Sequence, residues 1–366
     1  MQLIILLKPK ENMKKLIDRV LHRGKDLSPP SRITSETVAE HREHILAGGR
    51  KFKYPVQYVR HKLVINAILI SVSAIVIAVA IGWWQLYPMQ NTTEFMYRVT
   101  KFIPVPVATV DSQPVLYSDY LMKYLSSIHF LETKEQLNQK TDDGKRQIEY
   151  IKQQSLQDAI SDAYAQKLAH KLGISISESE FQAFLKEKRQ ISNGEISEQS
   201  YNAIVLDWFG WSPDEYRHMT ESKLLSQKVA YAMDKDALNT INSVEASVKA
   251  DPKVDLNKLA TTTAKSSGIA VSYGTSGWVP RYNQDGGLAT SAAKLSAQGV
   301  SGVIRSTLGK GYFIVRLLEA NDSQVKYEYI QVPLTAFAKA LAQIEKDHKV
   351  SRYISVPVLS DSVKTN

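Results

Sequence analysis

The chain has 366 residues, enough for two domains, and its 43% hydrophobic and 23% charged residues are typical of folded protein rather than of disordered segments. It contains no cysteine, which excludes disulfides, thiolate nucleophiles and zinc sites ligated by cysteine. Residues 1–62 hold 14 Lys and Arg against 6 Asp and Glu, so they carry +8 of the formal net charge of +9. The basic character therefore belongs to the N-terminal segment and not to the rest of the chain.

The N-terminal segment, residues 1–62, contains a predicted helix from Ser35 to Leu46 but no recognisable domain. His41 and His44 stand three apart on that helix, a spacing that can place two imidazoles on one face for a metal. Because no third ligand accompanies them, the sequence favours a solvated helical face, and we predict neither a metal nor a cofactor.

Basic residues cluster at the end of this segment, with Phe52, Tyr54 and Tyr58 between them. Such a cluster suits RNA or anionic lipid, and each basic residue near a charged leaflet contributes about 1 kcal/mol. An orientation signal that contacts lipid is favoured over nucleic-acid binding. The predicted lipid-contacting residues are Arg50, Lys51, Lys53, Arg60 and Lys62.

Residues 63–84 read LVINAILISVSAIVIAVAIGWW, without a charge, and are long enough to cross about 30 Å of hydrocarbon as a helix. The basic cluster precedes this segment, whereas Trp83, Trp84 and Tyr87 lie at its other end, so we expect the N-terminus in the cytoplasm and the C-terminal part outside. Cleavage after Ala78-Val79-Ala80, as in a signal peptide, is the rival interpretation, but the apolar region is long and the leader unusually extended for one.

A proline-containing linker is predicted over residues 85–104, followed by a mainly helical region over residues 105–235 that opens with a short strand, Val107 to Val110. Ser118 is predicted to cap the first helix, and Gly173 is placed to end a later one in a left-handed conformation. Two further helix starts carry capping boxes, in which a serine precedes a glutamate by three residues. These pairs are Ser177 with Glu180 and Ser212 with Glu215.

Between the two capping boxes lie Trp208, Phe209 and Trp211, three aromatic residues within four positions at a predicted helix end. Packing into the core is the usual fate of such a cluster. Any exposed part of it would suit an extended apolar peptide, so these three residues are the candidate polypeptide-binding residues.

The order of these features carries a specific resemblance. The strand VATVDSQPV, the helix LQDAISDAYAQKLAHKLG and the later stretch FGWSPDEYR resemble the N-terminal chaperone domain of SurA-type periplasmic foldases and their membrane-anchored relatives, over about residues 105–235. The resemblance implies that this region binds unfolded or newly exported polypeptides through apolar and backbone contacts.

Residues 255–319 resemble part of a parvulin-type prolyl isomerase domain, which follows the chaperone domain in that family. The match includes Gly277-Trp278, Gly299, Ser301, Gly309 and Gly311-Tyr312; Gly274 keeps one glycine of a family pair, and Tyr273 replaces the other. We therefore expect a smaller α+β parvulin-like domain over residues 236–352, and a tail over 353–366.

The departures from the parvulin pattern concern its catalytic pocket, which the family lines with two histidines and an Asp or Cys. Phe313 stands in place of one histidine, and Tyr329 would stand in place of the other. The resemblance then implies no catalytic residues, only a degenerate pocket formed by Trp278, Phe313 and Tyr329. Since the opening strand of the family is not found before Ala237, we hypothesise a permuted sheet whose missing central strand is Tyr327 to Val332.

The C-terminal helix, Leu334 to His348, has apolar residues at helical spacing and is expected to pack on this sheet. The sequence as a whole predicts a single transmembrane helix, a mainly α chaperone domain and a smaller α+β parvulin-like domain. Two other functions stay open: an active prolyl isomerase, disfavoured by the lost histidines and acid, and a dedicated binding module with one stoichiometric partner.

Overall fold

The computed structural model describes residues 34–53, 55–191 and 194–356, with side chains omitted for 49–53 and 55–60. Residues 1–33 of the basic segment, most of the predicted tail, and the side chains of Arg50, Lys51, Lys53 and Arg60 lie outside the described part. The chain divides into two compact units, Met1–Ala80 and Ile81–Asn366.

The first unit holds helix α1, Ser35–Lys53, and most of helix α2, Pro55–Leu86. His41 and His44 are both exposed on α1. Within His61–Leu86 of α2, the most apolar 18 residues have a mean hydropathy of 2.8, and none of them is buried. Length and composition would let it cross a bilayer, and it contains the predicted span of residues 63–84.

The second unit begins with the last turn of α2, whose Leu86 is only 5% exposed. Within the predicted linker lies helix α3, Glu94–Phe102, followed by strands β1, Pro106–Val110, and β2, Gln113–Leu116. The Tyr117 hydroxyl donates to the Leu86 carbonyl at 2.7 Å, and the Tyr87 hydroxyl donates to that of Pro106 at 2.7 Å. These two hydrogen bonds hold the end of α2 against the core. They also supply the partners that the hydroxyls of buried tyrosines need.

The helical region follows the β1–β2 hairpin. Its helices are α4, Tyr117–Lys134; α5, Asp142–Leu172; α6, Glu178–Arg189; α7, Glu198–Phe209; and α8, Pro213–Met233. Strands β3, Gln190–Ile191, and β4, Gly194–Glu195, form a small hairpin between α6 and α7. Buried tyrosines and aliphatic residues of α4 and α5 pack with β1 and β2 in one core.

The helix ends show which local signals were sufficient. Both predicted capping boxes are present, with Ser177 and Ser212 as N-caps, and Gly173 ends α5 in the left-handed conformation at φ 65°. The prediction for Ser118 was wrong, since α4 starts at Tyr117 after Leu116 without a side-chain cap. Strand β2 ends at Leu116 and α4 begins at the next residue, so Ser118 lies inside the first turn of the helix. An N-cap residue has an extended backbone, and Ser118 therefore cannot serve as one.

The α+β region starts with helices α9, Lys235–Ala250, and α10, Leu256–Ser267. Four antiparallel strands follow, in the order β5-β8-β7-β6, with the small helix α11, Leu288–Ala292, after the first. The strands are β5, Ser272–Pro280; β6, Ile304–Arg305; β7, Tyr312–Ala320; and β8, Gln324–Val332. Helices α9 and α10 cover one face of the sheet and α11 the other. Strand β8 lies between β5 and β7, so Tyr327 to Val332 occupies the interior position that the sequence predicted.

The C-terminal helix, α12, spans Ala336–Lys346, and the prediction that it packs on the sheet was wrong. Leu341 and Ile344 instead join the core of the helical region, where the Phe337 ring lies 5.6 Å from that of Tyr164. The next strand, β9, Val350–Arg352, pairs with β1 in an antiparallel arrangement. The chain end thus covers an edge of β1 that would otherwise present unpaired backbone groups.

Candidate functional site

The aromatic cluster lies where α7 ends and α8 begins. Gly210, at φ 68°, ends α7 in a left-handed conformation that turns the chain between Phe209 and Trp211. Trp208 is 45% exposed and Phe209 38% exposed, whereas Trp211 is partly buried. Trp208 and Phe209 therefore remain at the surface, whereas Trp211 is partly packed into the core. The sequence had left both positions open for this cluster.

The rings of the cluster contact one another and their neighbours. Phe209 and Trp211 stack at a centroid distance of 4.9 Å, and the Trp208 ring lies 5.8 Å from that of Phe130. Lys134 Nζ lies 5.6 Å from the Trp208 ring centroid. These contacts fix an aromatic surface at the end of α7 and leave part of it open to solvent.

Phe209 and Trp211 stand at the junction of three cavities of about 630, 560 and 500 Å³. The cavity of 630 Å³ runs between α5, α6 and α8, and its wall includes Leu308, Gly309 and Phe337. A further cavity of about 690 Å³ shares Phe184 and Gln227 with the cavity of 630 Å³. These neighbouring cavities share wall residues, and we call them together the aromatic groove; two of them lie within the helical region, and the other two reach residues 305–309 of the α+β region.

Charged groups along the aromatic groove are partly removed from water. Lys123 Nζ pairs with Asp162 at 2.7 Å, and burial raises the pKa of neighbouring Asp158, although Lys123 and Gln154 act in the opposite direction. Burial also disfavours the charged form of Lys188, which for an ammonium group lowers the pKa. A groove with apolar walls and a few such groups offers contacts to side chains and backbone alike.

One buried donor in the groove lacks an acceptor. Among the described residues, Trp211 Nε1 is buried and finds no hydrogen-bond partner. A buried N–H without a partner costs about 1–3 kcal/mol relative to a paired one. The stacking of Trp211 on Phe209 must therefore offset the cost of burying this N–H.

The three residues predicted to form a degenerate pocket are only partly brought together. Phe313, 4% exposed, and Tyr329 contact each other at a centroid distance of 5.8 Å on the face covered by α11. Trp278 lies opposite Lys326 and is 44% exposed, while its neighbour Val279 packs on the face of Phe313. Since successive side chains alternate between faces, Trp278 points away from the other two. The pairing shifts between Thr275 and Trp278, a bulge that no local pattern indicated.

The Tyr329 ring packs against Gly274, the glycine that is retained from the family pair. A Cβ added at Gly274 would come 2.6 Å from the Tyr329 ring, so only glycine leaves room for the ring there.

Sequence reasoning did not identify Leu308, Gly309 and Phe337 as groove residues, because these residues reach the groove through contacts across long sequence separations. The nearest local signal was the apolar spacing of the C-terminal helix, which indicates burial without naming the partner.

Residues 56–230 match the family model of the SurA-like N-terminal domain. This match includes the apolar helix and the whole aromatic cluster, and it supports a relation to the SurA-like chaperone family. No curated protein and no solved structure matches the chain.

Proposed function

We propose that this protein is a membrane-anchored extracytoplasmic chaperone that binds unfolded or newly exported polypeptides in the aromatic groove. The observation that carries the proposal is the position of Phe209 and Trp211 at the junction of three cavities, inside the segment that matches the SurA-like N-terminal domain. An extended chain needs apolar contacts for alternate side chains, and the exposed rings of Trp208 and Phe209 can supply such contacts.

The topology in this proposal places residues 1–62 in the cytoplasm, crosses the membrane with residues 63–84 and holds the rest outside. The continuous helix Pro55–Leu86 and its unburied apolar stretch support this topology. The basic residues from Arg50 to Lys62 would contact anionic lipid on the cytoplasmic leaflet, since cytoplasmic flanks carry an excess of Lys and Arg.

The proposal for client binding predicts a loss when the exposed rings are removed. The double variant Trp208→Ser/Phe209→Ser should weaken binding of an unfolded protein by at least about tenfold, because aromatic side chains at the centre of a contact contribute about 2 kcal/mol or more. Full-length protein in lipid vesicles is mixed with a denatured protein, and aggregation is followed by light scattering.

A matched control removes two apolar side chains of similar exposure elsewhere. Leu172 is 49% exposed and Tyr353 45% exposed, and the double variant Leu172→Ser/Tyr353→Ser should suppress aggregation as the wild type does. Equal activity of both double variants would refute the assignment of the groove. Saturable binding of one folded partner at a fixed ratio, with no effect on aggregation, would instead favour the dedicated binding module.

The α+β region is proposed to be a degenerate parvulin-like domain without isomerase activity. The interior position of β8 and the contact between Phe313 and Tyr329 support its relation to parvulins; the phenylalanine offers no acid–base group. A protease-coupled assay of an Xaa-Pro peptide with the full-length protein should therefore give the uncatalysed rate, set by a barrier of about 20 kcal/mol. Catalysis that Phe313→Ala abolishes would establish an active isomerase.

A further inference from the structure

Helix α3 exposes a large apolar face. Phe95 is 67% exposed and Phe102 87%, and they stand seven residues apart, so they lie on the same side of the helix. Ile103, directly after the helix, is 58% exposed. Phe102 has the highest exposed fraction of any large hydrophobic side chain in the described residues.

The opposite side of α3 is fixed to the helical region. Tyr97 and Thr100 are buried, and the Tyr97 hydroxyl donates to Glu215 Oε1 at 2.6 Å. Glu215 also accepts from the backbone N–H of Ser212 in the capping box of α8, and α8 lines the aromatic groove. The exposed phenylalanines therefore project from a helix that cannot rotate to bury them.

The chain between α2 and α3 is folded back on the last turn of α2. The N–H of Met89 donates to the Trp84 carbonyl at 3.1 Å, and the N–H of Asn91 to that of Gln85 at 2.9 Å. The Asn91 side chain also donates to Gln85 Oε1 at 3.0 Å. Glu94 follows Asn91 by three residues and so lies within about 11 Å of it. Helix α3 thus starts beside the outer end of the apolar helix.

The surroundings match the composition of a membrane interface. Trp83, Trp84 and Met89 are 57%, 55% and 60% exposed at the end of α2. Arg98 and Lys101 lie on α3 between the two phenylalanines, and Lys101 is paired with Glu215. Short amphipathic helices with Phe or Trp on one side and basic residues beside them lie in the plane of the interface.

We propose that α3 is an interfacial helix, with Phe95 and Phe102 inserted into the outer leaflet of the membrane that α2 crosses. The inference rests on the proposed membrane anchor and goes beyond it, because it adds a second contact with the same membrane. The occupant of this face is lipid, since α3 starts at Glu94, soon after the apolar helix ends at Leu86, and Trp83 and Trp84 are exposed at that end. The contact holds α8, and with it the aromatic groove, near the membrane surface.

The experiment uses the absence of native cysteine in the full chain. Single cysteines replace Glu94, Phe95, Lys101, Phe102, Ile75 and Leu172 in turn, and each is labelled with an environment-sensitive fluorophore in vesicles. Nitroxide groups attached to the lipid then quench labels that lie in the bilayer. Labels at 95 and 102 should show blue-shifted emission and strong quenching, because an interfacial helix buries its apolar side about 5–10 Å into the boundary between headgroups and acyl chains. Labels at 94 and 101 should show less of both, and the exposed control position 172 none.

The outcomes separate this inference from the membrane anchor. Quenching at 75 without quenching at 95 and 102 would leave the anchor intact and overturn the interfacial helix. Absence of quenching at 75 would overturn the anchor and, with it, this inference. Protection of 95 and 102 from a water-soluble quencher in the absence of lipid quenching would assign the face to a protein partner and would equally overturn the proposal.

Discussion

Replacing Arg316 by methionine should lower the free energy of unfolding by about 3–5 kcal/mol, because it leaves buried partners without their donor. Arg316 is 7% exposed, and its Nη1 donates to Glu328 Oε1 at 2.8 Å. Its Nη2 donates to the carbonyls of Pro252 and Val254 at 2.9 and 2.8 Å. The side chain therefore joins β7 to β8 and to the loop between α9 and α10.

Urea unfolding of the full chain in mild detergent, followed by tryptophan fluorescence, measures this loss. The matched control is Lys326→Met, on the same pair of strands. Its partner Glu319 lies 3.1 Å away, and both side chains are substantially exposed, so its loss should stay below about 1 kcal/mol. Equal losses for the two variants would show that the Arg316 pair has no special role.

A second substitution on the same pair tests the physical reason. Adding Glu328→Leu to Arg316→Met removes the uncompensated carboxylate, so the double variant should regain part of the lost stability. Recovery should be incomplete, because the Tyr273 hydroxyl, which donates to Glu328 Oε2 at 2.9 Å, then loses its acceptor. A double variant less stable than Arg316→Met would contradict this account.

Asp234→Ala is expected to cost about 3–4 kcal/mol of stability, since one buried carboxylate serves two helix starts. Asp234 is 3% exposed and accepts from the N–H of Ala237 at 3.0 Å, at the start of α9. Its other oxygen accepts from the N–H groups of Thr335 and Ala336, at 2.6 and 2.9 Å, at the start of α12. The same urea titration measures the loss.

Asp255→Ala provides the control for Asp234. Asp255 caps α10 with one hydrogen bond, to the Lys258 N–H at 3.0 Å, in an exposed position. Its replacement should cost about 1 kcal/mol, the usual value for a single N-cap. If both alanine variants lost the same free energy of unfolding, the hydrogen bonds from Asp234 to the start of α12 would make no contribution to stability.

The Asp234 carboxylate also sets a pH dependence. Burial alone raises its pKa, but hydrogen bonds from Ala336, Thr335 and Ala237, helped by Lys339, outweigh burial, so the pKa is lowered from 3.8. A lowered folded-state pKa contributes stability that is present above the unfolded value and lost as pH falls below it. The stability difference between wild type and Asp234→Ala should therefore shrink below about pH 4, towards the lower folded-state pKa.

Asp234 also explains why the chain returns to the helical region. The carboxylate holds the start of α12 at the junction of α8 and α9, so Phe337 reaches both Tyr164 and the aromatic groove. Strand β9 then pairs with β1. The chain end thus completes both the core and the groove of a region that begins more than 200 residues earlier in the sequence.

The sequence by itself determined the features that depend on neighbours along the chain. The apolar helix follows from an uninterrupted run of uncharged residues, and the capping boxes at Ser177 and Ser212 follow from a serine and a glutamate three residues apart. The aromatic motif Trp208, Phe209 and Trp211 also lies within four positions of the chain, so it could be recognised as a candidate site from the sequence. Strand β8 was placed in the sheet interior because a gap there would leave backbone groups unpaired.

Only the tertiary structure decided which surfaces meet. Apolar spacing showed that the C-terminal helix is buried, but it could not choose between the sheet and the helical core, since either would remove the same side chains from water. The bulge near Gly277 turned Trp278 away from Phe313. The exposed face of α3 likewise emerges only when Tyr97 and Glu215 fix the helix, because hydrogen bonds across 118 residues leave no local pattern.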